Sequence, residues 1–182
     1  MSELLADLLE RADFPIEVSR SLQCARALVT PSEMSAAIDR MAVGLTAELQ
    51  EQSPLLVGVL PGGSYLLGAL MQRMVFPLQI AHCGFHGDEP TLSADGFSLV
   101  ERLIVVIDDG QMSTRQEEAL LKRLSTERVG SVWRCSLIRS ADSGAAFDRQ
   151  LTVVISDPAG VFGCGIDVAG YCRNLPGLYR TA

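Results

Sequence analysis

Aromatic residues are scarce in this chain, at 5% of the total with a single tryptophan. Basic residues are in the minority too, 15 lysines and arginines against 22 aspartates and glutamates, for a formal net charge of −7. Such a balance gives no overall attraction for nucleic acid or an anionic membrane surface, although a local basic pocket for a phosphate is compatible with it. No apolar run approaches the roughly 20 residues that a membrane-spanning helix needs. The longest, Leu55–Leu60 and Leu103–Ile107, fall far short. The segment from Met1 to Arg11 mixes apolar and acidic residues at helical spacing and lacks a basic stretch, so no targeting peptide is read there. Five cysteines (Cys24, Cys83, Cys135, Cys164, Cys172) contain no Cys-x-x-Cys pair, and their number is odd. That argues against a metal site or a disulfide framework. Buried free thiols in a reducing cytoplasm are expected instead.

The remaining composition describes one folded domain. With 182 residues, 48% hydrophobic and 20% charged, the chain can bury a sizeable core. No internal repeat or low-complexity linker divides residues 1–182. Residues 4–12 read as a short amphipathic helix with Leu4, Leu5, Leu8 and Leu9 on one face. Thr30-Pro31-Ser32-Glu33 carries a capping box with proline at the first helical position. It predicts a helix to about Gln50 whose inward residues are Met34, Ile38, Met41, Leu45 and Leu49.

Two continuous apolar runs, Leu55–Leu60 and Leu103–Ile107, have the pattern of strands buried on both faces, which belong to parallel sheets. Ser64–Met74 and Arg115–Thr126 read as helices. Leu78–His82, Ser131–Ile138 and Leu151–Ile155 read as strands, and Gly84–Ser98 as a mobile polar loop. Strands alternating with helices predict an α/β fold with a mainly parallel, twisted sheet flanked by helices. Ligands of such sheets sit beyond the carboxyl ends of the strands. The two runs end there in Pro61-Gly62-Gly63 and in Asp108-Asp109-Gly110-Gln111-Met112-Ser113-Thr114-Arg115-Gln116. Free amides at a helix start with hydroxyls beside them suit a phosphate. Two adjacent carboxylates could hold ribose hydroxyls or a hydrated Mg²⁺. The same residues also describe a plain Asp-Asp turn followed by an ordinary Ser/Thr cap.

The segment Val105–Gln116 resembles the phosphoribosyl pyrophosphate loop of the type I phosphoribosyltransferases, which has four apolar residues, two acidic, two apolar, then Asp-Thr-Gly-x-Thr. Three further matches follow the order of the hypoxanthine-guanine branch. Val57–Gly63 is similar to its pyrophosphate loop, apolar-Leu-Lys-Gly-Gly. Ser136-Leu137-Ile138-Arg139 is similar to the strand whose closing lysine reads the purine carbonyl. Val161-Phe162-Gly163-Cys164-Gly165-Ile166-Asp167, with Tyr171-Cys172-Arg173-Asn174-Leu175-Pro176, resembles the C-terminal signature Val-x-Gly-Tyr-Gly-Leu-Asp…Tyr-Arg-Asn-Leu-Pro. The resemblance covers roughly residues 28–180. It implies a core at about 35–155 and a small hood formed by about 1–34 and 156–182.

It also implies roles. Asp108 and Asp109 would meet the ribose directly or through Mg²⁺. Ser113, Thr114, Arg115 and Gln116 would wrap the 5′-phosphate. Pro61, Gly62, Gly63 and Arg173 would hold pyrophosphate, and Asp167 would contact a second Mg²⁺. Arg139 and Val161 would read the purine. The partners implied are phosphoribosyl pyrophosphate and a purine base or nucleotide, in a cytoplasmic homodimer or homotetramer.

The departures from the family pattern sit where its chemistry sits. Met112 replaces the Asp that handles the purine proton, and a thioether does no acid–base work. Thr114 replaces a loop glycine. Ala159 or Gly160 stands where an aromatic ring stacks on the base. The segment His82–Gly96 lacks a Ser-Tyr pair, and Pro61, expected to follow a cis peptide bond, replaces a lysine. Three readings follow: a purine phosphoribosyltransferase of reduced or altered activity, a non-catalytic nucleotide- or phosphate-binding regulatory paralogue, and a structural paralogue with an empty site.

Overall fold

The structure, a computed structural model, describes residues 3–94, 96–139 and 147–181. Helices α1 (Glu3–Arg11) and α2 (Ile16–Cys24) lead into strand β1 (Arg26–Val29) and helix α3 (Pro31–Leu49). Then come β2 (Leu55–Val59), α4 (Ser64–Met71), β3 (Gln79–His86), β4 (Glu89–Ser93), β5 (Leu103–Asp108) and α5 (Thr114–Thr126). The chain finishes with β6 (Ser131–Arg139), β7 (Arg149–Ile155), β8 (Val161–Phe162) and β9 (Leu178–Arg180). Six strands form the main sheet in the order β4-β3-β2-β5-β6-β7, and three form a second sheet, β1-β9-β8. Every pairing in the main sheet is parallel except β3 with β4.

The apolar runs fold as central strands because each has an apolar layer on both sides. Alternate residues of a strand point to opposite faces. Leu56, Val105 and Ile107 pack with Met34, Ile38, Leu45 and Leu66 on the α3–α4 side. Leu55, Val57, Ile104 and Val106 pack with Leu120 and Leu124 of α5 on the other. All five residues expected to face inward from α3 are buried, and both arms of the Thr30–Glu33 capping box form. The Leu60–Pro61 peptide is cis.

Three expectations need correction. Gly84–Ser98 is not a bare loop. β3 runs on to His86 and turns at Gly87, where φ is +64°, into β4, with His82 opposite Ser93 and His86 opposite Glu89. Asp95 in that segment lies outside the described residues. Helix α2 and strand β1 were not expected, being short elements whose apolar residues are few: α2 buries only Val18 and Leu22. Cys24 is exposed, whereas the other four cysteines are buried.

The second sheet ties the two ends of the chain together, β1 pairing with β9 and β9 with β8. Phe162 stacks on Tyr179 at 5.6 Å, and both are covered by Leu5, Val18 and Leu22. This cap lies over the carboxyl end of the main sheet, since Ser21 of α2 and Thr181 just after β9 line the same cavity as Val59 and Asp109. Among the described residues no helix is long and apolar enough to cross a membrane.

Candidate functional site

A cavity of about 580 Å³ opens at the carboxyl ends of β2 and β5. Pro61 and Gly62 follow β2, Asp109, Gln111, Met112 and Gln116 follow β5, and the C-terminal segment adds Val161, Ile166, Asp167 and Arg173.

The packing here is tight enough to dictate residue type. A Cβ on Gly62 would lie 1.8 Å from Oδ2 of Asp109, so this carboxylate rests directly on the glycine backbone. A Cβ on Gly165, whose φ is +104°, would lie 2.1 Å from the Gly62 carbonyl oxygen. Only glycine allows both approaches. They bring the turn after β2, the β5 loop and the C-terminal segment to one place.

The charged groups are ordered by that contact. Oδ1 of Asp109 accepts from the Gln111 amide at 3.0 Å. Burial pushes its carboxyl up to about 6, with the neighbouring Asp108 adding to the rise, and the Gln111 amide and Arg173 pulling the other way. Nη2 of Arg173 pairs with Oδ1 of Asp167 at 2.5 Å, and its Nη1 donates to the Gly165 carbonyl at 2.6 Å. The Gly170 amide donates to Oδ2 of Asp167 at 2.7 Å. The result is a carboxylate on each wall with one guanidinium between them.

Several residues expected in the site stand elsewhere. Asp108 is fully buried and turned away from the cavity. Arg134 of β6 grips it through Nε at 2.7 Å and Nη2 at 3.0 Å, and Nη1 of the same arginine reaches Glu117 of α5 at 2.5 Å. Burial works against the Arg134 charge, but the hydrogen bonds and charge of Asp108, followed by those of Glu117, outweigh it. Two carboxylates thus share one buried arginine, and the Gly110 amide takes a further lone pair of Asp108 at 2.6 Å. Neither a sugar nor a metal reaches Asp108 without opening that cluster. The signal was visible in β6, where a lone arginine interrupts an apolar strand and so requires a buried partner.

Arg139 donates to the Thr152 hydroxyl at 3.2 Å and is not on the cavity wall. Ser113 caps α5 and Gln116 completes its capping box, so Oγ of Ser113 takes the Gln116 amide and Oε1 of Gln116 takes the Ser113 amide. Two of the groups expected to wrap a phosphate are therefore engaged with each other. Thr114 and Arg115 sit in the first turn of α5, and Gly63 caps α4; none of the three lines the cavity. Gly63 has a packing reason instead, since a Cβ there would strike the Ile107 carbonyl at 2.3 Å. Met112 does line the cavity and at the same time packs on the α5-side core beside Phe85. Phe85, Ser21 and Thr181 are wall residues that no motif pointed to, and Gln111 lies within the β5 loop motif but had no role assigned.

Among the described residues no three or more His, Cys, Asp or Glu side chains gather as a metal cage. Asp109 and Asp167 remain, and Mg²⁺ is commonly held by one or two carboxylates with water and ligand phosphates. The donor set fits that ion only together with a phosphorylated ligand.

No family model matches the sequence, and a search of curated proteins finds no relative. Solved structures do match. A hypoxanthine phosphoribosyltransferase from Staphylococcus aureus superposes with a TM-score of 0.73 at 21% identity, covering 86% of this chain and 91% of that one. A hypoxanthine-guanine-xanthine phosphoribosyltransferase gives 0.74 at 22%, covering 86% and 96%. A hypoxanthine-guanine phosphoribosyltransferase from Bacillus anthracis gives 0.75 at 15%, covering 86% and 97%. The chain has the type I phosphoribosyltransferase fold.

Proposed function

We propose that the chain is a hypoxanthine-guanine phosphoribosyltransferase-like protein that binds phosphoribosyl pyrophosphate together with a purine base, and that it transfers phosphoribose to the base with reduced or altered activity. The observation that carries this is the convergence of Gly62, Asp109, Asp167 and Arg173 on one cavity, in the fold those transferases share. Arg173 meets the pyrophosphate by charge once it leaves Asp167, and the Gly62 backbone lets the phosphate oxygens come close. Asp109 and Asp167 would hold Mg²⁺ together with a phosphorylated ligand, and the ion would supply neutralising charge to the pyrophosphate leaving group. The Val161 backbone meets the purine edge. The 5′-phosphate takes the amides at the start of α5, displacing the Gln116 side chain from its capping box. As proposals the protein is cytoplasmic and a homodimer or homotetramer.

A specific observation favours the second reading, a nucleotide- or phosphate-binding regulatory protein without turnover. Asp108 is locked under Arg134 and Met112 is seated in apolar packing. The site therefore keeps charge for holding phosphates but has a thioether where the resemblance places the proton-handling carboxylate, a loss that commonly costs about 10²–10⁴-fold in rate. Calorimetry with phosphoribosyl pyrophosphate, hypoxanthine and purine monophosphates, with and without Mg²⁺, followed by a turnover assay, separates the readings. Binding with turnover supports the transferase, and binding without turnover supports the regulatory protein. No binding of any phosphate ligand removes both.

A further inference from the structure

We propose a second, separate oxyanion site in the hood, formed by Arg26 and Arg180. Neither residue belongs to the cavity described above. The antiparallel register of β1 and β9 sets Arg26 directly opposite Arg180. Residues so placed share a face of the sheet, with Cβ atoms about 4.5–5.5 Å apart, and like charges there destabilise the pairing. Such a pair needs a counter-charge. Among the described residues none is supplied, for neither arginine takes part in an ion pair.

The hydrogen bonding tells the same story. Arg26 is exposed. Arg180 uses only Nη2, which donates to Oγ of Ser156 at 3.1 Å and to the Asp157 carbonyl. Its Nε is buried without an acceptor. A guanidinium kept for structure alone would have its fork of donors matched by protein oxygens, as Arg134 does in this same chain. With Nε shut off from solvent and Nη2 engaged, Nη1 and the exposed Arg26 guanidinium are the donors left at a cavity of about 360 Å³, lined by Arg26, Ala27, Leu28, Arg180 and Thr181, with no acidic residue on it. In a chain of net charge −7, two uncompensated arginines at one cavity are not a by-product of a basic surface.

Two arginines carried side by side on one face of the sheet suit a tetrahedral oxyanion that accepts from both, the class of anion that arginine binds well. The ligand class is a phosphate, free or as a small phosphate monoester. Thr181 stands on the wall of this cavity and of the main one, so an anion here lies beside the larger site without entering it.

The test uses the full chain and inorganic phosphate as probe, followed by ³¹P NMR and calorimetry. Arg173→Ala removes the guanidinium of the main cavity, and Arg26→Glu, which leaves that cavity untouched, gives Arg180 an internal partner in place of the ligand, so the hood site is read from the binding that Arg26→Glu removes. In the Arg173→Ala protein phosphate binding should persist, and adding Arg26→Glu should weaken it at least tenfold. Arg26→Glu alone should also raise Tm in phosphate-free buffer, because a repulsive cross-strand pair becomes an attractive one. Ribose 5-phosphate separates the two sources of the anion by the part of its binding that Arg26→Glu removes in the Arg173→Ala protein: a larger loss than for inorganic phosphate identifies a sugar phosphate, and an equal loss identifies free phosphate. The site is refuted if Arg173→Ala alone abolishes all phosphate binding, or if Arg26→Glu leaves the residual binding within threefold. These outcomes do not depend on whether the main cavity turns over a purine.

Discussion

Replacing Asp109 by Asn should make the ligand-free protein more stable above pH 6 and leave it unchanged near pH 4. Burial holds the Asp109 carboxyl at about 6, against an ordinary value of 3.8. In the folded state it therefore keeps its proton to higher pH than in the unfolded chain. Between those values the folded state binds more protons, so stability falls as pH rises. The stability associated with the neutral form is complete below about pH 4 and is lost by the time pH has passed 6. Each pKa unit corresponds to about 1.4 kcal/mol, which sets the ceiling near 3 kcal/mol. Asp109 is half-buried rather than sealed, so about 1–2 kcal/mol is the expected gain at pH 7–8. Asparagine matches the shape, keeps the oxygen that accepts from the Gln111 amide at 3.0 Å and fits the same space over Gly62. Urea unfolding of both proteins across pH 4–8 measures the effect. A difference that stays constant with pH, or a variant that is less stable above pH 6, would refute the reasoning. Phosphoribosyl pyrophosphate with Mg²⁺ should reverse the order by stabilising the wild type more.

Gly62→Ala should displace the Asp109 carboxylate, since the new methyl would sit 1.8 Å from Oδ2; calorimetry should show phosphoribosyl pyrophosphate affinity reduced by at least about tenfold while near-ultraviolet circular dichroism stays native, an effect of about 1.4 kcal/mol. Met112→Asp should raise transfer to hypoxanthine or guanine at least about tenfold. Because Met112 also packs on the core beside Phe85, the same change should cost about 1–3 kcal/mol in urea unfolding. Arg134→Met leaves Asp108 and Glu117 buried without their cation and should destabilise by about 3–5 kcal/mol at pH 7, with much of the loss recovered by the added change Asp108→Asn. Ala159→Trp should tighten purine monophosphate binding at least about fivefold by stacking, whereas Gly160→Trp should not, because φ there is +66° and a Cβ would meet Oγ1 of Thr181 at 2.7 Å.

The alternation of strands and helices from α3 to β7, the two buried central strands and the Thr30–Glu33 capping box were legible in the residues because each rests on local causes. An unbroken apolar run, such as Leu103–Ile107, has few options other than a strand covered on both faces. Thr30 and Glu33 are three residues apart, so chain connectivity alone brings them together. Of the β3–β4 hairpin only the first half of β3 was legible, because β4 is an edge strand of polar residues that exists by pairing with the extension of β3. The C-terminal strands are three residues or fewer; β9 exists through β1, more than a hundred residues away, and β8 through β9.

The site divides along the same line. Local sequence places Gly62, Asp109, Asp167 and Arg173 at strand ends or in turns, and the fold gathers them. Which of two adjacent aspartates faces the cavity cannot be read from their adjacency. Asp108 and Asp109 alternate faces at the end of β5, and the choice falls to Arg134, which sits opposite Val106 in the register with β6 and claims the first. The Arg26–Arg180 pair is likewise invisible along the chain, where 153 residues separate the two. Short-range geometry is written in neighbouring residues, but charge pairing in a buried interior depends on which strands lie side by side, and that is settled only when the whole core closes.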